Sequence, residues 1–178
     1  GGCAIGSRPI NFHLGALKKM GAKIKIKDGY IFASAKKGLK GCTIKFPKIS
    51  VGATENILIA ACFAKGTTKL KNCALEPEIS DLINFLKKLG CKISRIGKRS
   101  INVLGIKKLK SIVHKVIFDR IEAGTYIIAA ALTKGRLKIK NIDPKVISTE
   151  INLLHKMGVN IIKKKNYIIA SCSKKLKK

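Results

Sequence analysis

The sequence lacks tryptophan, holds only 9 aspartates and glutamates in 178 residues, and has aromatic side chains at 5%. None of its six cysteines forms a C-x-x-C pair, and none of its histidines, at 13, 114 and 155, has a second ligand at zinc-finger spacing, so no metal site is expected. The longest uncharged apolar stretch, residues 123–133, falls short of the ~20 residues that a membrane-spanning helix needs. A transmembrane anchor is therefore excluded, and no membrane partner is expected. Neither an initiator methionine nor a basic-then-apolar leader is visible. The cysteines (3, 42, 62, 73, 91 and 172) sit mostly in apolar runs, where a free thiol acts as a small hydrophobe, and this points to a reducing, cytoplasmic home.

What the chain has in quantity is lysine. The 38 Lys and Arg residues give a formal net charge of +29, which ordinarily suggests a polyanionic partner. Only five are arginine, the residue that reads phosphates and bases bidentately. The lysines are scattered over every segment, and lysine with isoleucine makes up about a third of the chain, the signature of compositional drift in an AT-rich genome. Nucleic acid is therefore not expected as a partner. Lys174, Lys175, Lys177 and Lys178 alone resemble a dedicated basic patch, and a solvated chain end reads the same way. A chain of this length buries roughly 70% of its extended surface on folding, enough for one large domain or two small ones.

The sequence repeats itself. Laid over residues 119–141, residues 50–72 match at Ile59-Ala60-Ala61 with Ile128-Ala129-Ala130, at Lys65-Gly66 with Lys134-Gly135, and at Asn72 with Asn141. A second series, ending at Gly21, Gly90 and Gly158, carries Leu-x-Lys-Met/Leu-Gly at the same spacing of about 69 residues. Within one unit a short strand (42–46, or 112–118) leads into a helix (51–64, or 120–133) that is apolar on nearly every side, stopped by Lys-Gly and expected to be buried all round. A Lys/apolar alternation follows (68–71, or 137–140), whose period of two marks a strand with one face in water. Glu76-Pro77, or Asp143-Pro144, opens a second helix, with Ile79, Leu82, Ile83, Leu86 and Leu89 on one stripe and Gly90 closing it. A hairpin ends the unit, most clearly at 22–33, where Asp28-Gly29 suits a two-residue turn. The fold class is thus α/β, built of βαβαββ units. Gly1 aligns with Leu70, inside a strand, so the chain is expected to be a piece of a longer protein.

Two segments carry chemistry. In Gly1-Gly2-Cys3-Ala4-Ile5-Gly6-Ser7-Arg8-Pro9, three glycines make a loop able to swing, and a guanidinium five residues beyond Cys3 can help activate its thiol. An inert cysteine at a strand end fits the spacing equally. In Lys48-Ile49-Ser50-Val51-Gly52-Ala53-Thr54, Ser50 can cap the helix while Gly52 leaves the first amides uncovered, a natural phosphate seat. An ordinary capped helix is the other reading.

The run from Gly1 through Cys3 and Arg8 to Asn11-Phe12-His13 closely resembles the catalytic loop of the UDP-N-acetylglucosamine enolpyruvyl transferases, or 1-carboxyvinyltransferases, of the EPSP synthase-like superfamily. The Lys48–Thr54 segment, Glu76-Pro77-Glu78 and Asp119-Arg120-Ile121-Glu122-Ala123-Gly124-Thr125 are similar to further signatures of that family, in the same order. The resemblance implies an inside-out α/β prism of six βαβαββ units. About two and a half are present, residues 1–116 forming the later part of one domain and 117–178 the first unit of the other. It implies transfer of the enolpyruvyl group of phosphoenolpyruvate to the 3-hydroxyl of UDP-N-acetylglucosamine with release of phosphate, the committed step of peptidoglycan synthesis. No cofactor is implied. Cys3 matches the proton donor that fosfomycin alkylates, and Arg8 a residue that holds anionic substrate. Pro9, Ile10, Asn11 and Phe12 match the uridine-gripping segment, and Lys48, Ile49, Ser50 and Val51 the diphosphate side. Asn11 stands where the family usually has Asp, and Phe12 where Leu is usual. The general base is expected outside this stretch. Two rivals remain: a basic RNA-binding module of a related βαβαββ fold, and a decayed gene piece without activity.

Overall fold

The computed structural model describes residues 9–173, 175 and 176. They form two compact units, Gly1–Lys115 and Val116–Lys178. The first holds α1 (Asn11–Lys19), β1 (Lys23–Lys27), β2 (Tyr30–Ser34), β3 (Thr43–Lys45), α2 (Val51–Cys62), β4 (Thr67–Lys71), α3 (Pro77–Lys88), β5 (Lys92–Gly97) and β6 (Ser100–Leu104). The second holds α4 (Arg120–Leu132), β7 (Arg136–Lys140), α5 (Ser148–Lys156), β8 (Asn160–Lys164) and β9 (Tyr167–Ser171).

From β3 to β6 the chain completes one βαβαββ unit. β3 runs parallel to β4, with Ile44 opposite Leu70, and β6 lies antiparallel between β4 and β5, giving the order β3-β4-β6-β5. The second unit repeats the last three strands of that order as β7-β9-β8. Ahead of the complete unit, α1 and the β1-β2 hairpin supply the helix and hairpin of another. The mixed α/β repeat architecture read from the sequence is the observed one.

Local chemistry explains the elements. Asp28 and Gly29 both take positive φ, 51° and 76°, as a two-residue hairpin turn with Lys27 opposite Tyr30 requires. In β4 the buried residues are Thr68 and Leu70, while Thr67, Lys69 and Lys71 face water. Pro77 starts α3, and Gly90, at φ +105°, follows its end. The first core centres on Met20, Phe46, Ile57, Leu58, Leu70 and Ile79, the second on Ile127, Ile147, Ile151 and Ile168. Each such fully buried side chain contributes about 1.5–3 kcal/mol.

Two expectations need correction. The strand expected at 112–118 does not form, and no regular element lies between β6 and α4. His114 is bonded to Asp81 on α3, with its ring edge against Phe85, whereas Phe118 packs on the second core, so the two ends of this stretch are held by different units and no strand forms across it. The same absence changes the helix ends. After α2, Lys65 bonds Leu39 and Gly41 through its backbone, and Gly66 takes φ +88°. After α4, among the described residues, Lys134 has no such backbone bonds to a preceding segment, and it takes φ +52° itself. Nor are α2 and α4 buried all round: Ile59 is 47% exposed on α2, and Tyr126 and Leu132 are 53% and 69% exposed on α4. Among the described residues, α2 packs on α1, α3 and β6, and α4 on α5, β7 and β9, leaving one face of each uncovered.

Candidate functional site

Cys3 and Arg8 lie outside the described residues. Pro9 and Ile10 are exposed ahead of α1, and the Ile10 carbonyl accepts the Leu14 amide at 3.0 Å. Asn11 is the first residue of α1 and faces solvent. Phe12 is half-buried and packs against the first core cluster, which suits an anchor of the helix start.

The sequence at 48–54 begins α2 as expected. Ser50, in extended conformation, accepts the Ala53 amide with its hydroxyl at 3.2 Å, and the first turn of α2 carries no acidic residue. The helix therefore offers its remaining N-terminal amides and positive dipole end without a competing carboxylate there. Lys48 and Ile49 are exposed immediately before the cap, and Val51 is half-buried as the first helical residue.

The structure brings these two segments together. A Cβ placed on Gly52 would stand 3.6 Å from Cε1 and 3.8 Å from Nε2 of His13, so the imidazole from α1 lies in ordinary contact distance of the α2 N-terminus. On another face of α1 a cleft of about 250 Å³ is walled by Asn11, Phe12, Gly15 and Lys19 on one side and by Lys45, Phe46 and Pro47 on the other. His13, Gly15 and Lys19 were not named from the sequence as site residues. For Gly15 and Lys19 the signal was available, because Asn11, Gly15 and Lys19 recur every four residues along one stripe of α1, whereas His13 lies off that stripe.

The acidic signatures have structural duties. Glu76 Oε2 accepts the Leu75 amide at 2.7 Å. The Glu55 carboxyl is raised above its ordinary range by partial burial and then by the charge of Glu78. Asp119 caps α4, its Oδ1 accepting Ile121 N at 2.7 Å and Glu122 N at 3.1 Å, while Arg120 Nη1 lies 3.3 Å from Glu150 Oε1. Burial pushes the thiols of Cys42 and Cys62 up, and that of Cys73 to about 11, so these three are poor nucleophiles near neutrality. Among the described residues no group of three His, Cys, Asp or Glu side chains is placed to hold a metal ion, and no helix is long and apolar enough to cross a membrane. The start of α2 supplies an uncovered helix N-terminus with an imidazole in contact distance and Lys48 exposed just ahead of the cap, suited to an anionic ligand.

The EPSP synthase (3-phosphoshikimate 1-carboxyvinyltransferase) family model matches residues 1–178. A UDP-N-acetylglucosamine 1-carboxyvinyltransferase of Pelagibacter ubique is 60% identical over 99% of this chain and 42% of its own length. A protein of the same name from Endomicrobium trichonymphae is 52% identical over the same shares. Among solved structures, the enolpyruvyl transferase NikO from Streptomyces tendae superposes with a TM-score of 0.81 at 26% identity, over 93% of this chain and 42% of that one. EPSP synthase from Acinetobacter baumannii, at 20% identity and a TM-score of 0.67, shares the fold. The chain spans about two-fifths of the length of these relatives.

Proposed function

The chain belongs to the EPSP synthase family, and from that premise we propose that it is part of an enolpyruvyl transferase acting on UDP-N-acetylglucosamine. The observation that carries this reading is the meeting of the α1 start with the Ser50-capped start of α2, through His13 and Gly52. An uncovered helix N-terminus together with a lysine-edged cleft on α1 suits a nucleoside diphosphate better than a compact monophosphate, because a nucleotide sugar has a base, a diphosphate and a hexose to distribute over separate subsites. The shared name of the relatives at 60% and 52% identity supports the same acceptor.

In this reading Lys48, Ile49, Ser50 and Val51 take the diphosphate. Pro9, Ile10, Asn11 and Phe12 take the uridine end, with the Asn11 amide replacing a carboxylate by a neutral acceptor and donor. Cys3 protonates the methylene carbon of phosphoenolpyruvate while a base removes the proton of the sugar 3-hydroxyl, whose oxygen bonds to the adjacent carbon. Loss of phosphate and of one methyl proton then restores the double bond. Arg8 holds the anionic donor. The enzyme works in the cytoplasm at the committed step of peptidoglycan synthesis, supports cell division and is a fosfomycin target. It uses no cofactor, and neither nucleic acid nor membrane has a part in it.

The test is phosphate release by the full-length protein. Release that requires both phosphoenolpyruvate and UDP-N-acetylglucosamine, and is lost in Cys3→Ala, is expected; release that proceeds equally with shikimate 3-phosphate as acceptor contradicts the proposal. The 178-residue chain alone is expected to bind the nucleotide sugar weakly and to release no phosphate.

A further inference from the structure

Residues 105–115 have no regular structure, yet the first unit holds them at regular intervals. The Ile106 amide donates to the Cys62 carbonyl at 2.8 Å, and Gly105 sits so close to the Ala64 carbonyl that no side chain fits there. Four residues on, the Lys110 amide donates to the Leu89 carbonyl at 2.9 Å. Four residues further, His114 Nε2 lies 3.1 and 3.2 Å from the two carboxylate oxygens of Asp81. From Leu89 back to Asp81 is about 12 Å at ~1.5 Å per helical residue, and Lys110 to His114 covers about 13 Å when extended at ~3.3 Å per residue. The segment is thus a strap laid antiparallel along α3.

Its last fastening differs from the others. It is made by side chains, with only 8% of His114 and 15% of Asp81 exposed, and the imidazole edge meets Phe85 at 5.3 Å between ring centroids. Since a carboxylate offers no hydrogen, Nε2 is the donor. Nδ1 is buried with no hydrogen-bond partner among the described residues. The residues on either side of His114, Val113 and Lys115, are exposed, so at this point the strap is held through the His114 side chain.

We propose that the His114–Asp81 pair is a latch that fixes the length of the linker between the two units. With the latch made, only residues 115–117 lie between it and Phe118, which packs on the second core; with it broken, the stretch runs back to Lys110 and more than doubles. Doubling a flexible tether dilutes one unit in the other's neighbourhood by roughly threefold. The inference stands apart from the transfer chemistry, since it concerns only the tether.

Limited trypsin digestion of the protein, read by mass spectrometry as the ratio of cleavage at Lys110 to cleavage at Lys69 within β4, tests it. Loss of folding raises both cuts together, whereas release of the latch raises the ratio. In His114→Ala and in Asp81→Ala the ratio is expected to rise about fivefold, as for local opening of a segment held by one contact. The double variant is expected to rise no further than either single. A ratio that stays within about twofold of the parent's, or single effects that multiply in the double variant, overturns the latch.

Discussion

The Thr54 hydroxyl donates to the Ser50 carbonyl at 2.7 Å and accepts the Ala74 amide at 3.1 Å. One fully buried side chain thus ties the start of α2 to the loop leading to α3. Thr54→Val preserves shape but strands the buried Ala74 amide, so the protein is expected to lose about 1–3 kcal/mol. Urea unfolding followed by circular dichroism checks this, and an unchanged midpoint speaks against the tie.

Ser50 and Gly52 act on the same helix end with opposite consequences. Ser50→Ala removes the bond to Ala53 and is expected to cost about 1 kcal/mol. Among the described residues Gly52→Ala meets only His13, at 3.6 Å, and it gains up to ~1 kcal/mol of helix propensity. That added methyl group nevertheless covers the amides of the proposed diphosphate seat. Calorimetry with UDP-N-acetylglucosamine and the full-length protein is expected to show Gly52→Ala more stable and at least about tenfold weaker in binding, the equivalent of roughly 1.4 kcal/mol.

The glycines of the first unit divide sharply. A Cβ on Gly105 would strike the Ala64 carbonyl and one on Gly41 the Thr67 backbone, whereas none of the described residues lies within 4 Å of one on Gly15. Gly105→Ala and Gly41→Ala are expected to destabilise by about 1–3 kcal/mol or more through overpacking. Gly15→Ala, inside α1, gains up to ~1 kcal/mol. Thermal melts of the three variants separate these outcomes.

Glu55 carries a pH signature. Its folded pKa is raised above 4.5 by burial first and by Glu78 second, so its favourable contribution is complete below that value and is lost as pH rises through the folded pKa. The group is largely solvated, and screening keeps the effect small. Glu55→Gln is expected to melt above the parent at pH 7 and level with it near pH 4. A gain that persists unchanged at low pH assigns the effect to something other than this carboxylate.

Much of this was legible in the residues, for physical reasons. The Asp28-Gly29 turn, the Ser50 cap and the Pro77 start are dictated by local backbone chemistry, which a sequence displays directly. The βαβαββ element order followed from the repeat, whereas the strand order within each sheet was not read from the sequence. The absence of a strand at 112–118 was not legible, since the contacts that hold this stretch, such as that of His114 with Asp81 thirty-three residues away, are long-range. The approach of His13 to Gly52 was hidden likewise, being set by how α1 packs on α2. Exposed apolar residues on α2 and α4 departed from expectation because periodicity reports which surfaces are apolar and is silent on what covers them.

Fosfomycin labelling of the full-length protein, followed by peptide mass spectrometry, tests the central claim most directly. A single adduct on the Cys3 peptide is predicted, forming faster when UDP-N-acetylglucosamine is bound, with Cys42, Cys62 and Cys73 unmodified because burial holds their thiols protonated. An unmodified Cys3, or labelling indifferent to the nucleotide sugar, would contradict it.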